Sequence, residues 1–179
     1  MADTDAPWPD VAHLSDVGRS FLAGLIGALP EIMPLLVPNI NSYKRLVESY
    51  WAPVTLSWGF EDRLSSVRLI AAPACKPSAT QFEVRIPGAD LHPHYALAAI
   101  FRAGWRGVQK KLAITLPPTA HRPEGDRPEL LPNSLDKAMG RFEAKNSIAR
   151  EIMGDEFVDA YALSRYHELR VWREAVTDW

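Results

Sequence analysis

The stretch Thr80-Gln81-Phe82-Glu83-Val84-Arg85-Ile86-Pro87-Gly88 constrains this chain more than any other, because it alternates. A strand turns successive side chains to opposite faces. Phe82, Val84 and Ile86 therefore point one way, and Gln81, Glu83 and Arg85 the other, each roughly 7 Å from the next on its own face. The pattern predicts a half-buried strand closed by Pro87-Gly88, with core beneath it and charge above it. Glu83 and Arg85 side by side fit a solvated ion pair. They also fit a metal ligand beside an anion clamp, and the strand alone leaves both readings open.

A chain of 179 residues, 47% apolar and 23% charged, suits one domain with a real core. Six Trp and fifteen Pro point to a loop-rich α+β domain and away from a helical bundle. A net charge of −2 gives no basis for bulk attraction to nucleic acid or to an acidic membrane. The lone cysteine, Cys75, excludes a disulfide framework, which fits a reducing compartment. It sits in a Pro-rich loop and reads as an inert thiol. No CxxC or His-rich spacing marks a zinc site. The N-terminus lacks a signal pattern, and the longest apolar run, 21–37, is broken by Pro30 and Pro34, short of the roughly 20 residues a span needs. The expectation is a soluble, cytoplasmic protein.

Residues 1–13 read as a disordered lead-in and 14–179 as the folded unit. Ser15 is placed to cap a first helix, whose stripe of Val17, Phe21, Leu22, Leu25, Ile26 and Leu29 stops at Pro30. A short apolar turn over 31–37 and a capped turn, Asn39-Ile40-Asn41-Ser42, come next. A short basic element over 43–50, strands over 53–59 and 64–71 and a loop over 72–79 lead to the alternating strand. Pro93 opens a long helix to about 112. Its Arg102, Arg106, Gln109 and Lys110 form a solvated face, and Tyr95, Ala98, Ala99, Phe101 and Trp105 belong to the core. A Pro-rich loop over 117–132 leaves His121 exposed. Asn133-Ser134 caps a helix to about 145, and Asn146 a short one to 154. Asp155-Glu156 opens the last helix to about 176, with Val158, Tyr161, Ala162, Leu169, Trp172 and Val176 facing inward. The order helix, sheet, long helix, helical tail is α+β.

Several segments, in order, resemble one family. Asn41-Ser42-Tyr43-Lys44-Arg45 is similar to a motif of the glutamine synthetases, and Ala52-Pro53 sits where they carry that pair. Trp58-Gly59, Arg63 and Arg68 repeat their spacing of arginines. Phe82-Glu83-Val84-Arg85, Pro87-Gly88-Ala89-Asp90, Pro93 and Ala96-Leu97-Ala98-Ala99 continue in register, and the tail with Asp159-Ala160-Tyr161 follows. The resemblance covers nearly the whole chain from Leu14. It implies the C-terminal half of a glutamine synthetase-type catalytic domain, an antiparallel sheet with packed helices.

That family joins an amine to the γ-carboxylate of glutamate through a γ-glutamyl phosphate made from ATP, with Mg²⁺ or Mn²⁺. By the resemblance, Arg45 and Arg85 would grip glutamate. Arg63 would contact both the carboxylate being phosphorylated and the moving phosphate, Arg68 would bind ATP phosphates, and Glu83 would be a metal ligand. The chemistry suits these residues. Arginine is always charged and binds oxyanions bidentately, fixed cations stabilise a transferring phosphoryl group, and a carboxylate suits a hard divalent ion. Arg63 and Arg68 are five apart, so perfect alternation would place them on opposite faces. Either a bulge near Ser65-Ser66 intervenes or Arg63 lies in the preceding turn.

The chain departs from the family pattern in three ways. Trp51 stands where ammonia-using members carry a glutamate, which implies a larger, apolar amine pocket with cation–π contact and an organic amine as substrate. Gln81 stands where members often have an arginine toward ATP. The part supplying most metal-binding glutamates and a metal-binding histidine has no counterpart in this chain. The expectation is a truncated member whose isolated chain neither binds ATP tightly nor turns over. A catalytically inactive structural or regulatory relative is the alternative. The resemblance also implies a homo-oligomer at full length.

Overall fold

A computed structural model describes residues 8–48, 52–72 and 76–176; Trp51 and Cys75 lie outside them. Five helices and three strands follow in the order α1 (Asp16–Leu36), β1 (Trp58–Phe60), β2 (Val67–Ile70), β3 (Gln81–Val84), α2 (Pro93–Gln109), α3 (Leu135–Phe142), α4 (Ile148–Met153) and α5 (Asp155–Glu174). The α+β class holds. Part of the expected lead-in is ordered: Pro9–His13 is a 3-10 turn with Val11 buried, and Asp10 meets His121 at 3.2 Å.

Helix α1 carries the core. Ser15 caps it, its Oγ accepting from the Gly18 N–H at 3.2 Å. The expected stop at Pro30 does not occur, and the helix runs on through Pro30 and Pro34. A proline inside a helix removes one hydrogen bond and crowds the preceding turn, at about 3 kcal/mol. Here the apolar face continues past it, and Ile32, Met33, Leu35 and Leu36 are all buried. The carbonyl of Pro34 would normally accept from residue 38, but Pro38 has no N–H. The Tyr161 hydroxyl donates to it instead, at 2.7 Å. The 21-residue helix is long and apolar enough to cross a membrane, yet two-thirds of its most apolar stretch (67%) is buried inside the molecule.

Helix α2 starts at Pro93 as expected, but of its expected core residues only Ala99 is fully buried. Ala96, Ala99, Ala103, Gly104 and Gly107 are buried, whereas Phe101 is 61% and Trp105 56% exposed, with Tyr95 and Leu97 also at the surface. The reason is the crossing with α1. A Cβ on Gly107 would lie 2.0 Å from the Ser20 carbonyl oxygen, and one on Gly24 2.4 Å from that of Ala103. Backbones touch there, so only small residues fit and the large ones turn outward. The basic face of α2 is not simply solvated either. Arg106 Nε lies 2.7 Å from Glu151, Lys110 pairs with the same carboxylate, and Arg102 donates to the Ile152 carbonyl. These groups tie α2 to α4.

The caps of the tail read well: Ser134 accepts from the Lys137 N–H at 3.3 Å. Ser147, one residue beyond the expected Asn146, caps α4. Helix α5 buries Val158, Ala162 and Leu169, but Trp172 and Val176 are exposed.

The sheet is mixed, in the order β1-β2-β3. β2 and β3 are antiparallel, with Arg68 opposite Glu83. β1 and β2 are parallel, so the antiparallel expectation fails for that pair. The connection reverses through Glu61, at φ +52°, and a serine-rich turn. Asp62 accepts from the Leu64 N–H at 2.8 Å, and Ser65 Oγ donates to the Asp62 carbonyl at 3.0 Å. Buried Ser57 accepts from the Ser66 N–H at 3.1 Å. These side chains satisfy backbone groups that an antiparallel ladder would otherwise pair. The segment before β1 is extended, but its partner is the Pro-rich loop, through Thr55 opposite Leu130.

Candidate functional site

The outer face of the sheet gathers charge because the inner face is apolar. Val67 and Leu69 on β2 are buried, and Phe82 on β3 stacks on Phe21 of α1 at 6.1 Å. Alternation then sends Arg68, Glu83 and Arg85 outward. Arg68 Nη1 reaches Glu83 Oε2 at 3.4 Å, and Arg85 Nε lies 3.9 Å from Glu83 Oε1. On its other side Arg68 Nη2 bonds Glu61. The result is a row, Glu61–Arg68–Glu83–Arg85. Hydrogen bonds from Arg68 and the Ala71 N–H, with the charges of Arg68 and Arg63, hold the Glu61 carboxyl below the usual range despite some desolvation.

Arg63 lies in the turn ahead of β2, exposed, which answers the spacing question in favour of the preceding turn. Arg45 ends a 3-10 turn, Ile40–Arg45. Its Nη2 donates to the carbonyls of Arg85, Ile86 and Pro87 at 3.2, 2.6 and 3.0 Å. That guanidinium holds the backbone that carries Arg85. Gln81 is exposed at the start of β3, and Trp51 falls outside the described residues.

Two acids that sequence reasoning passed over matter here. Asp90 accepts from Asn39 Nδ2 at 3.0 Å and from Ser42 Oγ at 2.5 Å. Burial opposes its ionisation, but these bonds and the Arg45 charge keep its carboxyl below the ordinary range. Asp90 thereby joins the two motifs, 41–45 and 87–90, that are far apart in sequence. Glu61 gave one weak signal, an acid directly after the short strand that precedes Arg63.

The row stands on an open face, with Arg68 and Arg85 each 17% exposed and Glu83 45%. A groove of about 690 Å³ lies elsewhere, lined by Leu46, Val54, Leu131 and Arg141 among others. Arg63, Arg68 and Arg85 provide cations suited to phosphate and carboxylate oxygens. Among the described residues no three or more His, Cys, Asp or Glu gather as a metal site. The face offers cations to anionic groups; it does not by itself fit a divalent ion, for which Glu83 would be a single ligand.

Comparison with known proteins agrees with the motifs. Residues 6–179 match the family model described as the catalytic domain of glutamine synthetase. Type-1 glutamine synthetase 2 of Dictyostelium discoideum is 38% identical over 95% of this chain and 32% of its own length. A glutamate–isopropylamine ligase from a Pseudomonas species is 38% identical over 93% of this chain and 36% of its own. A γ-glutamylethanolamide synthetase of Streptomyces coelicolor is 34% identical over 100% of this chain and 38% of its own. The chain thus spans about a third of the length of these relatives.

Proposed function

The chain belongs to the glutamine synthetase family, and on that premise we propose that it serves the ATP-dependent ligation of an amine to the γ-carboxylate of glutamate. The observation that carries this reading is the row of Arg68, Glu83 and Arg85, on and just past adjacent strands, within a chain matched over residues 6–179. Phosphorylating a carboxylate crowds negative oxygens together, and fixed guanidinium groups relieve that repulsion without reorganising. In this reading Arg68 takes ATP phosphates, and Arg63, in its turn, follows the phosphoryl group to the γ-carboxylate. Arg85 holds glutamate. Arg45 acts through the backbone of 85–87, which keeps Arg85 in place. ATP supplies the phosphoryl group, and Mg²⁺ or Mn²⁺ would need ligands beyond Glu83.

The amine proposed is organic. The support is Trp51, an apolar residue where the resemblance expects a glutamate, together with relatives named for isopropylamine and ethanolamide. Identity does not divide the choices, since the Dictyostelium glutamine synthetase is equally similar. A catalytically inactive structural or regulatory role is the second reading. It is favoured by the pairing of Arg68 with Glu61 and Glu83, which leaves that cation already engaged.

The test replaces the matching third of the Pseudomonas ligase with this chain. Glutamate-dependent ADP release is expected, faster with isopropylamine or ethanolamine than with ammonium. Arg63→Ala is expected to lower it by about 100-fold or more. A folded chimaera that releases no ADP would overturn the ligase reading, and a preference for ammonium would overturn the choice of amine. The chain alone is expected to release none.

A further inference from the structure

Glu61 is fixed from both ends. Its backbone sits at φ +52°, a conformation uncommon outside glycine, and its N–H donates to the Leu69 carbonyl at 2.8 Å. The side chain folds back over β2. One carboxylate oxygen accepts from the Ala71 N–H at 2.9 Å, and the other bonds Arg68 Nη2. Arg68 has little left to offer. Nη1 faces Glu83 at 3.4 Å, and Nε is buried without a hydrogen-bond partner. One guanidinium thus stands between two carboxylates, with Arg85 beyond Glu83. A phosphate approaching Arg68 finds both terminal nitrogens already facing carboxylates. Glu61 is the carboxylate bonded to Nη2, so a phosphate that takes that nitrogen must displace Glu61.

We infer that Glu61 is the internal counter-ion of Arg68, and that Arg68 takes a phosphate oxygen only in exchange for the Glu61 carboxylate. This deepens the proposed function and rests on its assignment of Arg68 to phosphate. Glu61 touches no substrate; it is a positioning residue that aims the guanidinium and sets how readily it is surrendered. The pair lies at the surface, where ion pairs are weak enough to exchange. The charge of Arg63 also acts on Glu61.

The experiment titrates the full chain with inorganic tripolyphosphate at low ionic strength by calorimetry. It compares wild type, Glu61→Gln, Arg68→Gln and the double variant, with a thermal melt of each. Gln at 61 keeps an oxygen for the Ala71 N–H and puts an uncharged amide NH2, which cannot accept from Arg68, in place of the second carboxylate oxygen. Glu61→Gln is expected to bind about threefold to tenfold tighter, with at most a slight fall in melting temperature. Arg68→Gln is expected to bind more weakly, and the double variant to lose the gain. An unchanged affinity in Glu61→Gln beside a weakened Arg68→Gln overturns the exchange and spares the Arg68 assignment. A gain that survives in the double variant makes Glu61 a general repulsive charge and also overturns the exchange. Arg68→Gln equal to wild type, or no binding in any variant, overturns the assignment and the exchange with it.

Discussion

Where α1 crosses α2 there is no room for a side chain; on the outer face of the sheet there is little else. At the crossing, Gly24 and Gly107 bring backbones into contact, and the large residues of α2 are pushed to the surface. On the sheet, four long charged side chains stand in a row, each held by the next and reached by water. The first region is specified by what its residues lack and tolerates no change of volume. The second is specified by charge, and its bonds can be traded for others. Stability and the proposed function thus fall on different faces of one small molecule, and substitutions should separate them.

The largest effect is expected at the crossing. Gly107→Val puts a branched side chain where a single Cβ would already lie 2.0 Å from the Ser20 carbonyl. A loss of about 3 kcal/mol or more is expected in urea unfolding. A loss under about 0.5 kcal/mol would remove the crossing from its place as the centre of stability. Next comes Tyr161→Phe, which leaves the Pro34 carbonyl unsatisfied and should cost about 1–2 kcal/mol. Burial pushes the Tyr161 hydroxyl up to about 12 from its ordinary 10.0 and raises Tyr43 as well. A raised pKa favours the folded state in full below pH 10 and loses that contribution as pH climbs through the folded value. Alkaline unfolding should therefore steepen above pH 10, and Tyr161→Phe should flatten it. The smallest effect is expected on the sheet. Glu61 is held below its ordinary 4.5 mainly by Arg68, so its contribution is present above that value and fades as pH falls through the lowered one. Glu61→Gln should remove this acid-side slope, and the slope should also shrink in high salt. A slope that ignored salt would mean the row is structural and not exchangeable.

Local chemistry was legible in the sequence. The caps at Ser15 and Ser134, the Pro93 start and the alternation of 81–86 depend on near neighbours, and each appears in the fold. The misreadings share one cause, a distant partner. Pro30 and Pro34 should have ended α1, but the helix is sustained by burial and by a hydroxyl 127 residues away. Phe101 and Trp105 looked like core because apolar residues usually are, whereas close approach of two backbones selects the small face. Of the site, alternation gave the shared direction of Glu83 and Arg85. It could not give Glu61, whose side chain reaches Arg68 only because a left-handed residue reverses the chain, nor the turning of Arg45 toward the carbonyls of 85–87.

Parallel strands ordinarily wait for a crossover of a dozen residues or more, but β1 and β2 are joined by the short stretch 61–66, and Trp58 meets Val67. Contacts so close along the chain form early, since loops of about ten residues close in roughly 10–100 ns. β3 then adds to the same nucleus from a short distance, Arg68 meeting Glu83. The helical part has the opposite wiring, because the end of α1 is completed only by α5. In kinetic terms, the charged sheet is the low-contact-order part of the molecule, and the completion of α1 by α5 is the long-range step expected to come late.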